Sequence, residues 1–242
     1  MEKRFNITVY FVEPAQYTLD LVKNIHDKIG LEYRFLQPKS TASKERENAL
    51  RTQSFLTQVI LLYKDFRKSD FIIFNGFYNR ELWFFILLNL FSIKTVQIGL
   101  ESDTKLNFSK NPLKKAFKKI VLSFLFGKDF IHGFPGGFGS HTNLFKYYGM
   151  KEDKIVTLPM VIDNSKFRKK QCNSIFTFLY VGRFIELKNI DLILQSFLKL
   201  PQDNLQLKLV GEGDLYKELS FRYNKSNILF LGKKYGNDLV NA

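Results

Sequence analysis

The stretch Phe178-Leu-Tyr-Val-Gly-Arg-Phe-Ile-Glu-Leu-Lys-Asn-Ile-Asp-Leu-Ile-Leu-Gln-Ser-Phe197 decides how this chain is read. It closes an apolar run, residues 175–181, which predicts a buried strand ending at Gly182. Residues 189–200 then repeat apolar side chains at helical spacing. Arg183 leaves the strand directly, and Lys188 stands at the entrance of the helix. In open parallel sheets, ligands bind beyond the carboxyl ends of the strands. A helix N-terminus there offers free N–H groups and a partial positive charge. Arginine can grip phosphate oxygens in a bidentate way, and lysine acts as a point charge. Two cations at such a junction make a diphosphate site on physical grounds; spacing alone also allows two surface cations on a loop.

Outward from this stretch the alternation continues. Strands are predicted over 205–210 and 227–231 and a helix over 214–222, with a further helix starting as the chain reaches Ala242. Upstream, strands are predicted over 5–12, 31–36, 70–75, 94–100 and 129–132. The helices between them fall at 14–29, about 43–67, 80–91, 112–126 and 140–148. Strands alternating with helices imply mostly parallel, doubly wound sheets. A hinge-like, charged segment at 159–170 separates two such units, giving an N-terminal domain over 1–168 and a smaller, incomplete one over 169–242.

Composition limits the alternatives. The 242 residues are 45% apolar and 25% charged, which excludes intrinsic disorder as the overall state. Cys172 is the only cysteine, so no intrachain disulfide or cysteine-based zinc site can form. The run Ile7–Val12 is too short for a secretory core and stops at Glu13-Pro14. The most apolar stretch, 82–93, has 12 residues, against the roughly 20 a spanning helix needs. These features predict a cytoplasmic protein that touches a membrane from one side only. With 37 Lys and Arg against 23 Asp and Glu, the net charge is +14, which attracts polyanions or phosphorylated substrates.

The stretch around Val181-Gly-Arg resembles the donor-domain opening of retaining family 4 glycosyltransferases, which have two Rossmann-like domains (the GT-B fold). Members read as a strand, Val-Gly-Arg, a few residues, Glu-Lys-Gly or a variant, and an apolar helix. Here Leu187 is inserted between Glu186 and Lys188. Two further family features follow in order: Leu209-Val-Gly-Glu-Gly-Asp-Leu215 and Ile228-Leu-Phe-Leu-Gly232. The resemblance implies an α/β protein of two doubly wound parallel-sheet domains. It implies transfer of a sugar from a nucleotide diphosphate, with retention, to a lipid-linked or saccharide acceptor, in bacterial surface polysaccharide assembly such as capsule or lipopolysaccharide. Arg183 and Lys188 would bind the donor diphosphate and carry catalysis beside Gly182, while Gly211, Glu212 and Gly213 would lie near the nucleoside. No cofactor and no metal is expected; no Asp-x-Asp motif occurs.

The N-terminal half carries the resemblance more weakly, in Glu101-Ser-Asp-Thr, the lysine-rich helix, Gly149-Met and Val161-Ile-Asp-Asn-Ser-Lys-Phe167. Two departures concern the acceptor side. Val12-Glu-Pro-Ala-Gln lacks the glycine-rich loop of many members, and Leu100-Glu-Ser-Asp103 lacks their histidine. Glu101 and Asp103 sit where acceptor contacts would be expected, or form an acidic helix N-cap region. His141 would face the interdomain cleft, or serve as a capping or surface residue. Members also continue past this point with a Glu, seven residues, then Glu, which follows nowhere after Gly232. The chain is therefore expected to lack part of the donor site and to bind sugar nucleotide poorly alone. The alternative is an inactive remnant serving as a membrane-surface or protein-interaction module.

Residues 104–128 contain seven lysines and no acid, among them Lys114, Lys115, Lys118 and Lys119. Leu113, Phe117, Ile120, Val121, Phe124 and Leu125 recur at helical spacing beside them. Such a helix can lay its lysines on an anionic membrane, or be a core-packed helix with a solvated face. No helix-turn-helix, RNP-type or zinc signature supports nucleic acid as a partner. Gly133-Phe-Pro-Gly-Gly-Phe-Gly139 fits neither the dinucleotide nor the P-loop pattern and reads as a strand-to-helix turn at the cleft. His26, His132 and His141 lack metal-ligand spacing.

Overall fold

The computed structural model describes residues 5–14, 18–19, 21–23, 25, 30–38, 49–159, 175–201 and 203–241. The chain falls into two compact units, Met1–Asp163 and Asn164–Ala242. The expected join after residue 168, the segment 161–167 and most of the first expected helix lie outside the described residues.

The first unit is a five-stranded parallel sheet in the order β2-β1-β3-β4-β5. Its strands are β1 (Ile7–Phe11), β2 (Glu32–Phe35), β3 (Phe71–Asn75), β4 (Gln97–Ser102) and β5 (Ile131–Pro135). Between them run α1 (Phe55–Lys68), α2 (Arg80–Phe91) and α3 (Pro112–Phe126), and α4 (Ser140–Tyr147) follows β5. Alternation along the strands separates two cores. Tyr10, Ile72, Phe74, Ile98 and Leu100 are buried with Leu62 and Phe66 of α1 and Leu82, Phe85 and Ile86 of α2. Val9, Phe11 and Phe35 gather with Val22 and Leu31 in a second cluster. Burial on both sides is what a parallel sheet requires.

Register also places the buried charge. Tyr10 pairs with Arg34 across β1 and β2, so both meet α1. There the fully buried Asp65 accepts from the Tyr10 hydroxyl at 2.6 Å and from Arg34. Burial first, then the Asp65 carboxylate, pushes the Tyr10 phenol well up. The helix expected from about Ser43 begins at Phe55 instead, because the Ser54 side chain accepts from Thr57 N–H and caps it there. A short 3₁₀ turn, Leu50–Thr52, precedes it.

The second unit is a parallel sheet in the order β6-β7-β8, formed by Phe176–Val181, Leu205–Val210 and Ile228–Phe230. It carries α5 (Ile190–Leu198), α6 (Tyr216–Arg222) and the short α7 (Gly236–Val240). Phe184, Ile190, Leu194, Leu207, Leu209 and Leu219 form its core. The strand expected to be buried is not: Phe176 is 62% exposed, Leu179 53% and Val181 52%. Among the described residues β6 pairs with β7 alone, so it is an edge strand, and an apolar run cannot by itself distinguish edge from centre.

Candidate functional site

Two clusters lie at carboxyl ends of strands, one on each unit: Arg183, Lys188 and Gly211–Gly213 on the second, Glu101 and Asp103 on the first. On the second unit, the connections leaving β6, β7 and β8 are stitched together by their backbones. Gly182 N–H donates to the Val210 carbonyl at 3.0 Å, and Gly211 N–H to the Gly232 carbonyl at 2.9 Å. Phe184 N–H donates to Glu212 at 2.8 Å, and Leu215 N–H to Phe184 at 3.0 Å. Gly211 has φ +147°, and a Cβ there would stand 1.8 Å from the Gly182 carbonyl oxygen. Gly213 has φ +149°, and its Cβ would stand 2.5 Å from the Phe184 carbonyl oxygen. Only glycine satisfies both conformation and spacing at these positions.

This frame fixes the backbone of Arg183. Its carbonyl accepts from the Tyr180 hydroxyl at 3.1 Å, and the next residue, Phe184, is fully buried with its ring 5.0 Å from that of Tyr216. The Arg183 side chain is exposed. Lys188 ends a 3₁₀ turn, Glu186–Lys188, and is exposed too. Asn189 follows at φ 47° and ψ 46°, the left-handed region asparagine tolerates, with no side-chain cap on α5. Among the described residues, neither Arg183 nor Lys188 has a side-chain hydrogen bond or ion pair. The Glu212 carboxylate is paired with Lys233, which also lies 5.1 Å over the Tyr235 ring. The Glu212 hydrogen bond, then that of Tyr235, raises the Lys233 ammonium above its ordinary range. Sequence reasoning missed Lys233; its position immediately after the Phe-Leu-Gly strand end was the available signal.

On the first unit, a hollow of about 150 Å³ opens beyond β3, β4 and β5, lined by Asn75, Gly76, Glu101, Ser102, Asp103, Thr104 and Gly136. Asn75 Nδ2 donates to Glu101 Oε2 at 3.1 Å, and Gly76 N–H to the Glu101 carbonyl at 2.7 Å. Ser102 is buried; its Oγ accepts from Thr104 N–H at 3.1 Å, and its carbonyl accepts from Gly136 N–H at 2.8 Å. Glu101 and Asp103 therefore share one hollow, with the Asp103 side chain exposed and unpaired among the described residues. His141 does not line it. It sits in the first turn of α4 with Nδ1 3.3 Å from the Phe138 carbonyl oxygen.

Lys114, Lys115 and Lys119 are exposed on α3, and Lys118 lies 5.8 Å over the Tyr148 ring. The apolar residues of this helix do not form one face. Leu122, Leu125 and Phe126 are buried, whereas Leu113, Phe117, Ile120 and Phe124 are exposed. Among the described residues no helix is long and apolar enough to cross a membrane.

No family model matches the sequence, and no curated protein matches it. Solved structures do match its fold. The HepE protein of Anabaena, crystallised with UDP and glucose, aligns with a TM-score of 0.61 and 12% identity over 95% of this chain and 70% of HepE. The same protein with UDP alone gives 0.63 at 13% identity, over 95% and 69%. The apo lipopolysaccharide outer core galactosyltransferase WaaB gives 0.58 at 12% identity, over 97% of this chain and 70% of WaaB. The α/β architecture of GT-B type expected from the resemblance is the fold observed.

Proposed function

We propose that this chain serves glycosyl transfer from a nucleotide-diphosphate sugar. The observation that carries the reading is the pair of exposed cations, Arg183 and Lys188, unengaged among the described residues, on a backbone frame locked by Gly211 and Gly213. A diphosphate beyond β6 would meet the guanidinium, the ammonium and the uncapped start of α5. In this reading the acceptor hydroxyl bonds to the anomeric carbon as the carbon–oxygen bond to the diphosphate breaks. The electron pair leaves with the nucleoside diphosphate, whose departing phosphate oxygen takes the proton of the acceptor hydroxyl, and the two cations neutralise its growing charge, the role a metal plays elsewhere. Retention of configuration and metal independence follow from the resemblance to family 4 enzymes. The acceptor would be held on the first unit by Glu101 and Asp103, whose carboxylates can accept hydrogen bonds from sugar hydroxyls. HepE was crystallised with UDP and WaaB is a lipopolysaccharide outer core galactosyltransferase, which favours a UDP-sugar donor and an acceptor of surface polysaccharide type; a lipid-linked acceptor at the inner face of the membrane follows from the resemblance to family 4 enzymes alone.

Ligand-observed NMR with UDP and UDP-glucose tests the donor site, because it detects weak binding. Signals from the bound diphosphate are expected, unchanged by EDTA. Arg183→Ala and Lys188→Ala should each weaken binding about tenfold, the scale of one charge-assisted contact. No binding, or binding indifferent to the double substitution, would overturn the assignment.

A further inference from the structure

We infer that the outer face of α1 and α2 is an interface at which two copies of this chain pair. A helix that is apolar round most of its circumference belongs inside a protein or a membrane. α2 is such a helix: residues 82–93 hold no charge, and only Asn89 and Ser92 are polar. It is about 18 Å long at 1.5 Å per residue, short of the roughly 30 Å of a bilayer core. Yet only one side of it is covered. Leu82, Phe85, Ile86 and Asn89 are buried, while Leu87, Leu90 and Phe91, on the side away from the core, are 44–86% exposed. α1 repeats the pattern. Its Leu62, Asp65 and Phe66 are buried, while Leu56, Ile60 and Tyr63 are 45–69% exposed. At 3.6 residues per turn these three fall within an arc of about 60°. The two helices run side by side in the same direction. Arg80 at the start of α2 donates to Gln58 of α1 at 2.8 Å, and Lys94 just past its end donates to the carbonyls of Phe66 and Arg67. The six exposed side chains therefore make one continuous face.

Area and charge identify the occupant. Taking about 200 Å² for a fully exposed side chain of this size, the six present roughly 700 Å², before the partly exposed Trp83 and Phe84 are added. The largest apolar patch on a monomeric protein is about 300–600 Å². A stable dimer takes about 800 Å² from each partner. The face is also neutral: residues 55–63 and 82–93 hold no charged side chain, and cations enter only at its margins, with Lys64, Arg67 and Arg80. Elsewhere a net charge of +14 sets one copy against another. Here a two-fold pairing brings neutral apolar surface to neutral apolar surface, each ridge meeting its own counterpart. An anionic lipid surface or a polyanion finds no cation within the face. A helix lying in a bilayer interface needs a charged side opposite its apolar one, and the opposite sides of α1 and α2 are the protein core.

Sedimentation equilibrium of the full chain tests this. A concentration-dependent mass rising to twice that of the chain is expected, with a dissociation constant in the micromolar range or below. Raising salt from about 0.05 to 0.5 M should tighten the dimer severalfold, because it screens the repulsion of the two basic copies. Leu87→Ser with Phe91→Ser should weaken it at least tenfold, and so should Leu56→Ser with Ile60→Ser. Both pairs should keep the far-UV circular-dichroism spectrum, since the side chains removed are exposed. Leu113→Ser with Phe117→Ser, equally exposed but on α3, should leave the dimer intact. A chain monomeric up to about 100 μM, a dimer indifferent to both pairs, or one that the α3 pair abolishes as readily, would overturn the inference. So would a dimer that salt dissociates, or a monomer that sediments with phosphatidylcholine vesicles through Leu87 and Phe91. The face shares no residue with the Arg183 loop or the Glu101 hollow, so pairing and donor binding can fail separately.

Discussion

The Gly182 carbonyl oxygen and the missing Cβ of Gly211 occupy the same space, which makes Gly211 the most demanding position near the Arg183 loop. Gly211→Ala must either move the Val210–Gly211 backbone or push Gly182 away from β7. We expect a loss of at least about 2 kcal/mol in stability, combining strain at positive φ with the clash. Faster amide hydrogen exchange at Phe184 and Leu215, whose bonds belong to this frame, is the measurement. Lys233 acts through charge. It neutralises Glu212 at the end of the sheet where a diphosphate would bind. Lys233→Met should therefore weaken UDP binding severalfold by exposing the Glu212 carboxylate, and Glu212→Gln in that background should restore it. Failure of the second change to rescue would mean that Lys233 contacts the ligand itself.

Single side chains also fasten whole elements together. Lys94 Nζ donates to the carbonyls of Phe66, Arg67 and Ser69 at 3.0, 2.6 and 2.8 Å, closing the end of α1 from the segment before β4. These are carbonyls a helix leaves unpaired, and an ammonium there also opposes the negative end of the helix dipole. Lys94→Met should cost about 1–2 kcal/mol, read as a thermal midpoint lower by several degrees. The buried Asn89 makes a comparable tie from α2, giving and receiving hydrogen bonds with Val96 at 2.8 and 2.9 Å. Such ties explain what was legible at this scale. The bounds of α2 and α3 follow from Asn79, Asn111-Pro112 and the apolar runs, and the structure keeps them. Periodicity cannot say which apolar face meets the core, so α3 was read with one face where it has two. Nor could it foresee that β6, apolar but for Thr177, would stand at an edge among the described residues.

For the molecule as a whole, the order of strands and helices was open to reading because every β-run but 94–100 ends at, or within two residues before, a glycine, asparagine or proline. The Arg183–Lys188 connection and the Glu101–Asp103 hollow were legible as strand ends. The tie of Asn75 to Glu101 and that of Lys233 to Glu212 were not, because they join residues 26 and 21 positions apart through the sheet. The same kind of long-range pairing sets the response of the fold to acid. His132 on β5 lies with Nε2 2.9 Å from Gln97 Oε1 and its ring 5.5 Å from that of Phe71. Burial, then the charge of Lys154, holds its imidazole below the usual 6.5, and Asp153 opposes this only in part. The unfolded chain therefore binds this proton more readily than the folded one. The resulting stability is fully present above about pH 6.5 and is lost as pH falls through the lowered native value. Glu81 adds a second step of the same sign. Its burial raises the carboxyl, but hydrogen bonds from Arg51 and Arg80 outweigh that and hold it below the usual 4.5. Its contribution is present above that value and lost as pH falls further. Thermal midpoints measured from pH 7.5 to 4 should thus decline in two stages. His132→Gln should flatten the stage nearest pH 6, and Glu81→Gln, which leaves Arg51 facing a neutral amide, should shrink the lower stage while costing about 2–4 kcal/mol at neutral pH. Asp129 and Glu152 also contribute to that lower stage, because Lys151 and Lys146 hold their carboxyls low. A His132→Gln melt as steep between pH 6.5 and 5 as that of the unaltered protein would mean that acid acts there through the repulsion of a chain already carrying +14 rather than through β5.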